Sequence, residues 1–536
     1  MKRILTIVLV FSLLAGCAKK SEKISEEGGV PACGDTIIEA SIGDASRLNP
    51  VLATDSASGD INALVFNGLV KYDRNIKLVG DLAQSWEVSS DGLIITFHLR
   101  KGVKWHDGED FTSSDVRFTY ERLIDPKVKT PYFSDFEKVK KIETPDSWTV
   151  RVFYKEPFAP ALESWGMGII PRHILENGDF NKSLFNRHPI GTGPYIFKKW
   201  STMEKIVLES NPNYFEGRPS IDRYVYRIIP DLSVQFSELL KGTIDSMGLA
   251  SDQYVKESET LPAKYGVNLY RHPALNSYTY LGFNLLSPLF QDKKVRQAIS
   301  CAINKKEIVE TVLQGFGRPI TGPYPPTFWA YNSKLKDYTY DLDKARRLLE
   351  SAGWKDKDGD GILEKESMPF EFTIITNQGN KERELCATII QEKLSKIGIK
   401  VKIRILEWST FVHEYVDKKK FDAVVLGWSL SLDPDQFSIW HSSQIKKGYN
   451  FISYKNKEVD RLLEEGRRIF APEKRKKIYH RFHEILAEEQ PYCFLYVRDA
   501  LPAIHGRFKG IKVEPLGISY NFIKWFVPKS EQKYRK

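Results

Sequence analysis

The segment FEFTIITNQGNKERELCATIIQEKLSKIGIKVKIRILEWSTFVHEYVDKKKFDAVVLG, Phe370 to Gly427, decides the fold class. Phe370 to Thr376 is apolar and β-branched, Lys381 to Ile397 spaces its apolar residues as a helix, and Ile399 to Leu406 alternates as a half-buried strand. Thr410 to Lys419 reads as a second helix and Phe421 to Gly427 as a buried strand. Strand, helix, strand, helix, strand with short connections predicts an α/β domain with a largely parallel sheet. Ligands of such sheets sit beyond the carboxyl ends of the strands.

Outward from this core the pattern continues. Leu281 to Asn284 is a short apolar strand, and Asp292 to Leu313 reads as one amphipathic helix through Val295, Ala298, Ile299, Ala302 and Ile303. Asp341 to Trp354 is a helix capped by Asp341 and stopped by Gly353, and Lys457 to Ile469 and Pro472 to Glu489 are two more, followed by a strand from Tyr492 to Val497. Toward the amino end, Thr36 to Ala40 is a first strand leading into a turn-rich loop, Gly43 to Pro50. Leu93 to Leu99, Trp148 to Tyr154, Lys205 to Glu209 and Tyr224 to Ile229 read as strands, and Thr112 to Leu123 as a helix. There is no internal repeat.

The chain has 536 residues, 42% apolar and 12% aromatic, which excludes a disordered, collagenous or coiled-coil protein. The formal charge of +10 is spread over its length without a compact arginine-rich block, so nucleic acid is not indicated as a partner. Lys2 and Arg3 precede an apolar run from Ile4 to Leu14, too short for the roughly 20 residues that a spanning helix needs. The run ends in Leu14-Ala15-Gly16-Cys17, which resembles the lipobox of bacterial lipoproteins. Residues 1–16 are therefore expected to be a signal peptide and residues 17–35 a lipidated Cys17 with a flexible tether. That places the body outside the cytoplasm, anchored to a bacterial membrane by lipid. Cys33, Cys301, Cys386 and Cys493 have no CxxC spacing; buried free thiols are expected for Cys301 and Cys386, and one disulfide is left open.

Leu82 to Leu123, LAQSWEVSSDGLIITFHLRKGVKWHDGEDFTSSDVRFTYERL, resembles the signature of family 5 extracellular solute-binding proteins, the oligopeptide and dipeptide receptors of ABC importers. Gly191 to Trp200, Leu281 to Ile303, Tyr340 to Trp354 and Phe421 to Phe437 resemble the same family, so the likeness runs from about residue 36 to residue 526. It implies an α/β, two-lobed periplasmic-binding-protein-like fold of type II, cluster C-like, with an extra inserted subdomain. Lobe I is then expected from residues 36–60, 181–270 and 491–536, the insertion from 61–180 and lobe II from 271–490. The implied partners are an oligopeptide ligand and the permease and ATPase subunits of the importer, for a receptor acting as a monomer without a cofactor.

In this family's peptide binders two tryptophans line the cleft from the second lobe, one after a Glu and one after a Gly. Here they match Trp408 in Leu406-Glu407-Trp408 and Trp428 after Gly427, both at strand ends. Ser429, Asn377, Asn284 and, from the first lobe, Ser46 are further expected ligand contacts. One departure stands out: an Asp that pairs with a peptide's ammonium three residues after the second tryptophan is replaced by Ser431. Asp433 either takes over that role or caps the helix after Asp435. An oligosaccharide or nickel-complex receptor on the same fold remains an alternative, and an extracellular hydrolase is a more distant one.

Signals for chemistry are weak. Asp356, Asp358, Asp360 and Glu364 in DKDGDGILE look like the start of a calcium loop, but the closing acid at the twelfth position is Ser367, which favours a solvated turn. His480 and His483 are one helical turn apart without a third ligand. No HExxH, GxSxG or phosphate loop is present, so the chain reads as a binding protein rather than an enzyme.

Overall fold

The computed structural model describes residues 30–446 and 448–534. The leader reading, Cys17 and most of the expected tether lie outside the described residues. Two seven-stranded sheets organise the protein. The first has the order Val267–Leu269, Pro502–His505, Ser246–Gly248, Thr36–Ser41, Arg223–Ile228, Lys205–Ser210, Tyr195–Ser201. Its strands come from both chain ends and the middle. Buried Arg507 binds these stretches together, reaching Asp35 at 3.2 Å and Asp245 at 2.5 Å.

The second sheet has the order His272–Pro273, Tyr492–Ala500, Ser277–Phe283, Ala423–Ser429, Glu371–Asn377, Lys400–Leu406, with Gly317–Pro319 added beside Tyr492–Ala500. Glu371–Asn377 lies parallel to Lys400–Leu406 and to Ala423–Ser429, as helical crossovers require. Ser277–Phe283 runs antiparallel to Ala423–Ser429 and to Tyr492–Ala500, so the sheet is mixed where the sequence predicts a largely parallel one. The α/β pattern governs only three of its strands. Apolar side chains cover both faces: Leu281 and Phe283 point into one core, Tyr278 and Tyr280 into the other.

Three expected boundaries shift. Tyr492–Ala500 belongs to the second sheet rather than the first lobe, because its buried run YCFLYV fills the space beside Ser277–Phe283. The chain thus returns to the first lobe at Leu501, not near residue 491. Helix Ser56–Val65 spans the expected start of the insertion at residue 61. The single helix expected from Asp292 breaks into Lys293–Ala302 and Lys305–Thr311, because Asn304 caps the second through Glu307 N.

Two crossings join the lobes. One lies between Val267–Leu269 and His272–Pro273, the other between Tyr492–Ala500 and Pro502–His505. Tyr270 N donates to Pro502 O at 2.9 Å, and Arg271 pairs with Asp499 at 2.7 Å, so the crossings run side by side as a two-stranded hinge. The four-stranded sheet Ala83–Val88, Ile94–Leu99, Thr149–Tyr154, Val139–Asp146 and helix Ser113–Ile124 extend the first lobe. Phe97 and Val150 of this extension share one continuous core with Ile37 and Ile206 of the first sheet.

Candidate functional site

Trp408 follows the strand Lys400–Leu406 and opens the one-turn helix Trp408–Thr410. The Glu407 carboxylate accepts from Ser409 N at 2.8 Å and Thr410 N at 2.9 Å, which turns the chain sharply at the sheet edge. The indole packs on Phe411 and reaches across to the first lobe, where a Cβ on Gly43 would lie 2.7 Å from its Cδ1. Glycine is needed there because the indole occupies the side-chain position. Trp428, in Ala423–Ser429, is half-buried beside Tyr449 and Phe451, both at 5.6 Å between ring centroids, and its Nε1 donates to Tyr492 Oη at 3.3 Å. A Cβ on Gly427 would lie 3.0 Å from Arg383 Nη2. Gly427 thereby leaves room for the Arg383 guanidinium at this strand end.

The facing wall of the first lobe is acidic. Thr36–Ser41 carries Glu39, held by Tyr224 Oη at 3.0 Å, and burial raises its pKa. Asp55 caps helix Ser56–Val65 through Ser58 N at 2.9 Å and accepts the hydroxyl of Ser46. Asp60, on the same helix, has an accessible carboxyl that desolvation, with Glu39 and Asp55 nearby, pushes up to about 7. A chain of rings links the second lobe to the first: Trp428 to Tyr449 at 5.6 Å, Tyr449 to Tyr132 at 6.3 Å, and Tyr132 Oη donating to Ala53 O at 2.7 Å.

The lobes touch at the hinge and at the rim. Near the hinge, Glu382 of the second lobe accepts from Ser251 N at 3.1 Å and Ser251 Oγ at 2.9 Å, and pairs with Arg498 at 3.1 Å. At the rim, buried Arg467 donates to Ser134 O at 2.8 Å, pairs with Asp135 at 3.0 Å and donates from Nε to Asp435 at 2.8 Å. Burial raises the Asp135 carboxyl to about 6, with the Arg467 guanidinium opposing the shift. Arg468 pairs with Glu156 at 2.8 Å. The arrangement is that of a closed clamp.

Residues 77–449 match the middle region of the bacterial extracellular solute-binding proteins, family 5. The chain belongs to this family. It is 38% identical over 541 residues to the oligopeptide-binding protein AppA of Bacillus subtilis, covering 99% of this chain and 98% of that one. The structure of AppA in complex with a nonapeptide superposes with a TM-score of 0.89 over 93% of this chain and all of that one. NikZ from Campylobacter jejuni with Ni(L-His) gives 0.84 at 33% identity, over 92% of this chain and 99% of that one. DppA from Helicobacter pylori with the peptide STSA gives 0.83 at 30% identity, over 93% and 99%.

In this family 5 chain the expected site residues separate into two groups. Trp408, Gly427 and Trp428 stand at the inter-lobe edge, and Ser429 is exposed at the end of the same strand, paired in register with Ser277. Asn377 is buried, accepting from Arg383 Nη1 at 2.8 Å, so it orients the guanidinium. Ser46 is tied into the Asp55 cap, with its N–H on Ser58 Oγ at 2.9 Å. Asn284 lies elsewhere: Phe283 pairs with Ala423 while Tyr278 pairs with Trp428, which puts Asn284 at the opposite end of the sheet. There it holds a loop, donating to Phe421 O at 2.8 Å and Lys419 O at 3.2 Å. Ser431 is exposed, with its hydroxyl on Asp433 O at 3.0 Å. Asp433 offers no free carboxylate, because Arg475 takes both oxygens at 2.7 Å.

The other signals resolve locally. Asp356, Asp358, Asp360 and Glu364 bring carboxylate oxygens within 4.8 Å of one another, and they accept from the loop's own N–H groups, Gly359 and Gly361 on Asp356 at 2.7 and 3.0 Å. His483 is buried, its Nδ1 accepting from Asn332 N at 3.2 Å, and desolvation lowers its pKa to about 3. Cys301, Cys386 and Cys493 are buried free thiols and Cys33 is free and exposed. Among the described residues no helix is long and apolar enough to cross a membrane. Sequence reasoning missed Arg383, Glu39, Asp55, Asp60 and Tyr132. The only sequence cue was the turn-rich loop after the first strand.

Proposed function

We propose that this family 5 protein is the extracytoplasmic substrate-binding lipoprotein of an ABC importer, lipidated at Cys17, which captures oligopeptides between its lobes as a monomer and delivers them to a membrane permease driven by an ATPase. No catalytic step belongs to this role. The observation that carries the reading is the composition of the second wall: two indoles and an arginine, with Ser431 at the family's acid position and Asp433 consumed by Arg475. A wall of this kind grips by apolar area and tolerates varied side chains, while main-chain groups satisfy the ligand backbone. The nonapeptide bound by AppA supports a long ligand. Contacts from both lobes exist only when the clamp is shut, so ligand shifts the protein toward closure.

The test is titration of the purified protein with peptides of two to ten residues, read by tryptophan fluorescence and thermal shift, with nickel–histidine as a second arm. Saturable binding of peptides longer than three residues is expected. Binding of nickel–histidine alone sinks the peptide assignment. Mass spectrometry of the peptides after incubation should find them intact; fragments would make the protein a hydrolase.

A further inference from the structure

Next to the clamp lies a cavity of about 540 Å³, within the size range of ligand pockets. Both lobes contribute to its lining. Leu64 lines it one helical turn beyond Asp60, and Ser431 lines it three residues beyond Trp428. Tyr72 and Glu163 enter from the extension of the first lobe, and Phe522 from the carboxyl-terminal segment.

The charges around this cavity are unequal. Lys71 is already held by Glu216 at 2.5 Å and Asp81 at 3.4 Å. Asp433 has its own guanidinium in Arg475. Glu163 accepts hydrogen bonds from Leu432 N at 3.0 Å and from the Tyr72 hydroxyl, but no cation pairs with it among the described residues. Its carboxyl is raised to about 7 by desolvation and then by the Asp433 charge. A desolvated carboxylate with donors but no counter-charge favours an entering cation that can also hydrogen-bond. The ordinary cation of an oligopeptide is its terminal ammonium.

We propose that this cavity is the subsite for the amino end of the bound peptide, with the Glu163 carboxylate as the partner of its ammonium. The position left vacant by an acid at Ser431 then opens a passage instead of closing the site, and the amino end is held from the first lobe. The inference rests on the peptide-receptor reading above and is separable from it.

The experiment takes the tightest-binding hexapeptide of the titration series with a free and with an acetylated amino terminus, and measures both by isothermal calorimetry on the wild type and on Glu163→Gln. Acetylation is expected to weaken wild-type binding at least tenfold, and Glu163→Gln, with an unchanged melting temperature, to bind both forms alike. Equal affinity of the two peptides for the wild type overturns the subsite while the oligopeptide reading stands. Discrimination that survives in Glu163→Gln removes Glu163. Failure of every hexapeptide to bind brings down the peptide reading itself. Because acetylation leaves the protein untouched, the first comparison does not depend on how the variant folds.

Discussion

The two walls of the clamp are built from different chemistry. The second lobe presents Trp408 and Trp428 at the ends of strands and Arg383 from the first turn of the helix Lys381–Ser395, while the first lobe presents Glu39 from the strand Thr36–Ser41 and Asp55 and Asp60 from the start of a helix. The aromatic wall is rigid because a sheet fixes its strand ends, Glu407 fixes the backbone turn that carries Trp408, and Tyr492 holds the Trp428 indole. The acidic wall carries charge that burial holds in check, with the Asp60 carboxyl at about 7. One wall supplies area and the other supplies a tunable charge, so affinity and selectivity are expected to fall to different lobes.

That division can be broken experimentally. The largest effect is expected from Trp428→Ala, which should weaken peptide binding by roughly 2–4 kcal/mol as loss of a central aromatic anchor. An unchanged dissociation constant in calorimetry would take Trp428 out of the site. Asp60→Asn should cost about 1.5–3 kcal/mol for a peptide with a lysine side chain and nothing for its norleucine isostere. Equal losses for both peptides would mean that the first wall carries area as well. Asn284→Ala should lower stability by about 1–3 kcal/mol in urea unfolding, since it leaves loop carbonyls unpaired, with peptide affinity unchanged. A changed affinity would restore Asn284 to the cleft.

The smallest effect concerns pH. The raised Asp60 carboxyl keeps its proton in the folded chain at pH values where the unfolded chain has lost it. Stability from this group is therefore fully present below the unfolded pKa near 4 and is lost as pH rises through about 7. Subtracting the melting temperature of Asp60→Asn from that of the ligand-free wild type should give a difference that grows from pH 8 to pH 5. A flat difference would show that Asp60 faces bulk water.

The aromatic wall was expected from the family resemblance, which matches Glu407-Trp408 and Gly427-Trp428, and periodicity placed both at the ends of strands that the fold contains. Periodicity likewise located the helices Leu342–Ser351 and Pro472–Glu489. The acidic wall was not legible. Glu39 sits in a strand, Asp55 in a cap and Asp60 on a helix, and only tertiary packing brings them together. Asp433 misled for a related reason, since its partner Arg475 lies 42 residues away and carries no local sign of the pairing. The second hinge crossing was misplaced because Tyr492–Ala500 is apolar enough for either sheet, and its choice depends on the register with Ser277–Phe283.

The Arg507 junction sets an order of assembly. The strands of the second sheet from His272 to Ala500 come from one uninterrupted stretch of chain, so that lobe can complete itself as soon as residue 500 is available. The first sheet cannot: Ser246–Gly248 pairs with Thr36–Ser41 on one side, but its other edge must wait for Pro502–His505, and Asp35 and Asp245 lack their guanidinium until Arg507 arrives. In a polypeptide that emerges from its amino end, the half made first is thus finished last. One edge of Ser246–Gly248 therefore stays open while the rest of the chain is delivered, and closing it completes the first lobe.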